Sequence, residues 1–406
     1  MDGTDTRHRV QHSVPAATLA WLERELDSWQ AEGRVDASTA AGIRAKYTAA
    51  RRFSLSRLML LLGAAFLGVG LLWLVATNLD EMSPAVRFTG VVLVWLSAVI
   101  GGEALAARRG PEAVRAGDAA VGGVRLVAAL AFGAVVFQAA QSLQVPAYEP
   151  RLLGVWAAGA LLQAYAVGAV APLVVGICTG VGWYGWAVAE RADSVEGPAL
   201  ALLLAGALAT ATAVGHGVAG PRRFAPPWRV AGALLVLSGL FVAALPRPQD
   251  DASTPTVLLW LGVALVVAAS AGAAALADRV GRLEVAAAGV AVVLGWLFLL
   301  WQPPGDASVA QLSGEALLRQ VVLVLVYLLT ALWYAALGVM RDTEGLTRLA
   351  AGALVLFTVV QSFAIFQPIL SGAALFLSLG AVLVVSGFLV ERGRRSLITT
   401  VKEVEA

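Results

Sequence analysis

The sequence has little charge and almost none of the side chains that build soluble catalytic sites. Only 14% of its 406 residues are charged and 59% are hydrophobic, whereas a soluble domain carries about 25% charge. One cysteine excludes an internal disulfide, and three histidines without a cysteine cluster predict no metal site. The net charge of +2 gives no reason to expect a nucleic-acid partner. These deficits exclude a disordered chain, a coiled coil and an ordinary soluble enzyme, and they leave a polytopic membrane protein.

Long uncharged windows predict the membrane crossings. A spanning helix needs about 20 mainly apolar residues, and two of the windows are long enough for two crossings each. One turn is expected at the stretch Gly168-Ala169-Val170-Ala171 with Pro172, and the other near Pro368. The sequence therefore predicts an all-α transmembrane bundle of about twelve spans. The windows are 58–79, 88–107, 126–148, 152–189 (two crossings), 197–221, 230–246, 252–277, 285–305, 320–340 and 349–390 (two crossings).

The positions of lysine and arginine predict the orientation of this bundle. With twelve crossings and a cytoplasmic N-terminus, 24 of the 29 cations fall on the cytoplasmic side, as the positive-inside rule requires. A single crossing in 152–189 would invert the rest of the chain and move eleven cations outside. We therefore expect a protein of the plasma (inner) membrane with both termini in the cytoplasm.

The polar N-terminal segment predicts a small cytoplasmic head. Leucines and a tryptophan recur at three- and four-residue steps up to Trp29, and Gly33 suits a helix end. Either Asp36 or Ser38 suits the start of a second helix. Two short helices bury little surface alone, so the head is expected to dock on the membrane, on a second copy or on a cytoplasmic protein. The predicted division is a disordered tail (1–15), a helical hairpin (16–57), the transmembrane bundle (58–391) and a basic cytoplasmic tail (392–406).

Several motifs resemble an uncharacterised bacterial membrane family, domain of unknown function 2157. They are the pattern from Leu26 to Tyr47 with its Trp29 and Gly33, the Asn78 that closes the first crossing, and Phe132-Gly133 followed by Gln141 in the third. Leu79 stands where the family usually has tryptophan, and Ala140 where it has glycine before the glutamine. The resemblance implies a multi-spanning inner-membrane protein and adds no reaction.

Polar side chains inside the predicted bilayer are the candidate functional residues. Glu103 and Arg125 lie near the inner ends of the second and third crossings and could form a structural ion pair, sit apart at the interface, or mark a proton or substrate site. Four uncharged side chains must either pair between helices or line a polar cavity. They are Asn78, Gln138, Gln141 and Gln361.

Three classes of function remain open. The favoured one is a non-enzymatic membrane protein whose head (16–57) binds a partner or a second copy. The second is a transporter or lipid-handling protein with a polar, uncharged cavity. The third, an intramembrane enzyme, lacks any nucleophile or acid–base constellation, so no catalytic residue, cofactor or metal ligand is predicted. Membrane lipids are the one partner that every one of these functions requires.

Cys178, in an apolar run, is expected to pack as a small buried side chain.

Overall fold

The computed structural model describes eleven long helices between residues 55 and 366, and two short helices with a small strand pair before them. The described residues are 12–14, 16–49, 55–77, 83–115, 118–192, 196–245, 255–301 and 314–366. The chain divides into two compact units, Met1–Gly63 and Ala64–Ala406. The long helices are α3 (Leu55–Thr77), α4 (Pro84–Arg115), α5 (Ala119–Ser142), α6 (Arg151–Val167), α7 (Val170–Ala189), α8 (Glu196–Val218), α9 (Ala225–Ala244), α10 (Val257–Leu276), α11 (Arg279–Leu300), α12 (Gly314–Met340) and α13 (Glu344–Phe366).

The first unit contains the predicted helical pair, α1 (Ala16–Ala31) and α2 (Ala37–Arg44). Gly33 has φ +71° in the connection, and the Asp36 carboxylate accepts a hydrogen bond from the Thr39 N–H, which caps α2. Strand β1 (His12–Val14) lies at the end of the segment predicted to be a tail, and it pairs in parallel with β2 (Tyr47–Ala49). The sequence analysis did not predict these two strands.

The eleven long helices fall one for one on the first eleven predicted crossings. Eight helices in the described part of the chain are long and apolar enough to cross a membrane, and two shorter apolar segments are Leu58–Gly70 and Arg151–Val167. The window 152–189 is divided as predicted, because Gly168 ends α6 in the left-handed conformation at φ +59°. The twelfth predicted crossing and the basic tail, 392–406, lie outside the described residues.

Helix α8 is the centre of the second unit and packs closely against α9. A Cβ atom at Gly206 would lie 2.8 Å from the backbone nitrogen of Val236, and one at Gly232 would lie 3.0 Å from the carbonyl oxygen of Gly206. Small residues therefore allow the two backbones to approach closely, as is common where helices meet in lipid. By contrast, the outer faces of α3, α4 and α10 expose large apolar side chains such as Leu67, Ile100 and Leu265, which suits contact with acyl chains.

Candidate functional site

The structure brings Glu103 and Arg125 together as a two-point ion pair. Arg125 donates from Nε to Oε1 of Glu103 at 2.8 Å and from Nη2 to Oε2 at 2.7 Å. The guanidinium is buried, whereas the carboxylate is partly exposed. The fork geometry is the strong form of an arginine–carboxylate contact. It joins the C-terminal half of α4 to the first turns of α5.

The two predicted amide residues of α5 differ in burial. Gln138 is buried in α5, and its Oε1 has no hydrogen-bond partner in the described structure, whereas Gln141 is exposed. Side chains three residues apart on a helix differ by about 60° in direction. The boundary between the packed face and the exposed face of α5 therefore lies between Gln138 and Gln141. Gln361 belongs to α13 but its side chain lies outside the described part, and Asn78 lies outside the described residues.

A second and more deeply buried charge cluster joins α9, α11 and the turn after α12. The Glu284 side chain has no exposed surface. It accepts hydrogen bonds from Nε of Arg229 at 2.7 Å and from Nε of Arg341 at 2.6 Å. The Arg229 side chain is 8% exposed. Such a buried carboxylate is stable only when its charge is paired and its oxygens are hydrogen-bonded, and here two arginines meet that need.

Asp278 extends this cluster to the surface. Its carboxylate receives hydrogen bonds from Nη1 and Nη2 of Arg341 at 3.2 and 2.9 Å, and another from the Gly281 N–H at 2.7 Å. The bonds from Arg341, and then that from Gly281, hold the pKa of Asp278 below its usual value. Asp278 thus caps α11 and orients Arg341 at the same time.

A cavity of about 320 Å³ opens beside this cluster. Its wall is half charged and half apolar, and it is formed where α8, α10 and α12 end and α9 and α11 begin. This is the same end of the second unit as the Glu103–Arg125 pair, because Gln163 of α6 donates to the Arg125 carbonyl oxygen at 3.4 Å and Tyr165 of α6 bonds His216 of α8 at 2.6 Å. The cavity is lined by Val214, Gly217, Val218, Arg222, Arg229, Leu276, Asp278 and Arg341.

The cluster is not evident from the uncharged windows, because the window of the ninth crossing begins at residue 285, after the last charge. The helix begins six residues earlier, at Arg279, since Asp278 caps it. The earlier start places Glu284 inside the second turn, where it is buried. Aspartate at an N-cap position was the available signal. The segment Asp278-Arg279-Val280-Gly281 is typical of a helix start, provided that a helix is not assumed to begin only after the last charged residue.

One further expectation is contradicted by the structure. The expectation that Cys178 packs as a buried side chain was wrong: the residue lies on the exposed surface of α7. Among the described residues no group of three or more histidine, cysteine, aspartate or glutamate side chains could hold a metal ion.

Long apolar helices, buried ion pairs near their ends and a large apolar outer surface define a multi-pass helical membrane protein. Residues 27–173 match the family model described as "Predicted membrane protein (DUF2157)". The match confirms the resemblance carried by the N-terminal motifs, and over these residues the chain is similar to that family. No curated protein and no solved structure matched the chain.

Proposed function

We propose that the chain is a non-enzymatic protein of the plasma membrane that acts through its N-terminal head. In this proposal the chain crosses the bilayer twelve times, and the head and the C-terminus both lie in the cytoplasm. The head, residues 16–57, binds a cytoplasmic protein or the head of a second copy. The membrane part anchors and positions it.

The proposed topology is supported by where the arginines lie. The connections after α4, α8, α10 and α12 belong to one end of the bundle. Together with the helix turns beside them, they hold 11 of the 15 cations that are described between residues 64 and 366. Retention of cations on the cytoplasmic side would place this end inside. The twelfth crossing rests on the uncharged window that precedes Glu391.

The observation that carries the interaction role is the exposed tryptophan of a separately packed head. Leu26 and Ala40 are fully buried, and Arg44 of α2 pairs with Asp27 of α1 at 2.6 Å, so the two helices hold each other. Trp21 nevertheless leaves 51% of its surface exposed. Tryptophan is enriched where proteins bind one another, so Trp21 suits the centre of a binding surface.

The test compares Trp21→Ala with Glu23→Ala in the full-length chain, because both side chains are exposed on α1. A photoreactive residue placed at position 25 would report the neighbours of the head in living cells. We expect one discrete cross-linked product, of either a second copy or another protein, that is lost in Trp21→Ala and kept in Glu23→Ala. Equal cross-linking in all three proteins, each with an unchanged unfolding midpoint, would refute the interaction role.

A second candidate function, transport or lipid handling, is favoured by one observation. Gln138 is 1% exposed, and its Oε1 accepts no hydrogen bond in the described structure. A buried amide oxygen without a partner costs about 1–3 kcal/mol, and water or a polar ligand in a cavity would remove that cost. This candidate therefore requires a wet site beside α5.

Labelling decides whether such a wet site exists. In a Cys178→Ala background, Gln138→Cys should react with a small, charged thiol reagent if water reaches α5. Tyr148→Cys, in the exposed connection after α5, supplies the positive control. Absence of reaction at position 138 alongside full reaction at position 148 would remove the support for transport.

A further inference from the structure

The cavity beside the buried cluster carries more positive than negative charge. Arg222, Arg229 and Arg341 line it, and the carboxylates that face them are Asp278 in the wall and Glu284 behind it. One positive charge is therefore unbalanced. A cavity of about 320 Å³ is at the small end of the range for ligand sites, which is about 300–1,000 Å³.

The unbalanced positive charge is carried by guanidinium groups that have hydrogen-bond donors without a partner in the described part of the chain. Arg341 donates hydrogen bonds from Nε to Glu284 and from Nη1 and Nη2 to Asp278. Arg229 uses Nε and Nη2 on Glu284, the latter at 3.5 Å, while its Nη1 has no partner among the described residues. The Arg222 side chain likewise has no hydrogen bond or ion pair within the described part of the chain, although its backbone carbonyl oxygen accepts a hydrogen bond from the Ala225 N–H. Two guanidinium groups, one fixed by burial and one exposed, therefore face the same space.

The rest of the wall is apolar and reaches the outer surface. Val218 and Leu276 line the cavity and are 45% and 62% exposed, respectively. Both lie in the last turn of their helices, α8 and α10. A ligand in this cavity could therefore place an anionic group on the arginines and an apolar portion along the two helix ends.

We propose that this cavity binds a phosphate group, and that its apolar rim favours one carried by an anionic phospholipid. Arginine forks match phosphate oxygens in pairs, and basic pockets between helices on the cytoplasmic side of a membrane suit phospholipid headgroups. Free phosphate offers the same chemistry without the apolar portion. The inference concerns the membrane part. Its lipid assignment rests on the proposed cytoplasmic orientation of this end of the bundle, but not on what the head binds.

The test uses the full-length protein in a non-ionic detergent and follows its thermal unfolding midpoint, since a ligand of the folded state raises it. The probes are dioctanoyl phosphatidylglycerol, inorganic phosphate and, as a zwitterionic control, dioctanoyl phosphatidylcholine. We expect saturable stabilisation by the phosphatidylglycerol and a much weaker response to the phosphatidylcholine. Saturable stabilisation by inorganic phosphate alone would support the site and assign it to the free anion.

Two matched pairs of variants locate the binding. Arg222→Gln removes a cavity donor and should weaken binding about tenfold or more, whereas Arg223→Gln removes a neighbouring exposed charge outside the cavity wall and should not. Gly217 lines the cavity, and a Cβ there would meet no atom within 4 Å. Gly217→Leu should therefore fill the space and abolish binding with all charges kept. Gly215 is at a similarly open position two residues away, on the opposite side of α8, so Gly215→Leu should bind normally.

Four results would overturn the proposal. The first is no stabilisation by either phosphatidylglycerol or inorganic phosphate, and the second is equal stabilisation by the two lipids. The third is equal loss of binding in Arg222→Gln and Arg223→Gln, and the fourth is binding that survives in Gly217→Leu. Because Gly217→Leu leaves Arg229, Glu284 and Arg341 untouched, its unfolding midpoint without ligand separates lost binding from lost folding.

Discussion

Replacing Glu284 with glutamine should destabilise the protein more than any other single charge removal in the described structure. The side chain has no exposed surface and lies between Arg229 and Arg341, with hydrogen bonds of 2.7 and 2.6 Å. Glutamine has a similar shape and keeps one acceptor oxygen, but it loses the charge. Breaking a buried ion pair on one side costs about 3–5 kcal/mol. Arg341 is 26% exposed and can regain some water, so we expect a loss near the lower value, about 3 kcal/mol.

The assay is the free energy of unfolding in mixed detergent micelles, with Glu344→Gln as the matched control. Glu344 pairs with Arg348 one helical turn away, and both side chains are at least 75% exposed. An exposed pair of this kind contributes about 0.3–0.5 kcal/mol. If Glu284→Gln loses less than about 1 kcal/mol, as expected for an exposed pair, then the cluster is hydrated and the account of it as a buried, paired charge is refuted.

Three further predictions concern the packing and charges of the same unit. Gly206→Ala should lower the free energy of unfolding by about 1–3 kcal/mol because its Cβ would meet backbone, while Gly215→Ala, with open space, should not lower it; equal effects would contradict the close approach of α8 and α9. Glu103→Gln should cost about 1–3 kcal/mol through the unpaired Arg125, and a loss equal to that of Glu344→Gln would refute burial of that guanidinium. The pKa of Asp278 is lowered in the folded state, so its contribution to the free energy of unfolding is complete above about pH 4, the unfolded pKa. This contribution disappears as the pH falls through the folded pKa. The difference in unfolding midpoint between wild type and Asp278→Asn should therefore close in acid, and a difference that widens in acid would contradict the lowered pKa.

The sequence predicts the helices well because the signals for them are local. Uncharged windows give each long helix, Gly168 marks the division of 152–189, and Gly33 with Asp36 marks the turn of the head. Each of these depends on a few neighbouring residues and on the thickness of a bilayer. Strands β1 and β2 lie more than thirty residues apart, and no local pattern indicates their pairing.

Burial of polar side chains is harder to predict because it depends on which helices become neighbours. Arg229 and Glu284 are 55 positions apart, and nothing near either residue specifies the other. The same limit explains the glutamines. Gln138 and Gln141 share the spacing of one helical face, yet only Gln138 lies against other helices. Cys178 lies in an apolar run, but hydrophobicity inside a membrane does not distinguish a packed face from a lipid-facing one.

The most direct test of the central claim, an even number of crossings with the charged cavity inside, uses single cysteines in a Cys178→Ala background. The positions are Ser38 in the head, Tyr148 after α5, Ala219 after α8, and Ala406 at the C-terminus. A membrane-impermeant maleimide is applied to intact cells and then to permeabilised ones. We expect Tyr148→Cys to react in intact cells and the other three to react only after permeabilisation. Reaction of Ala219→Cys or Ala406→Cys in intact cells would contradict the proposed topology and place the cavity on the wrong side of the membrane.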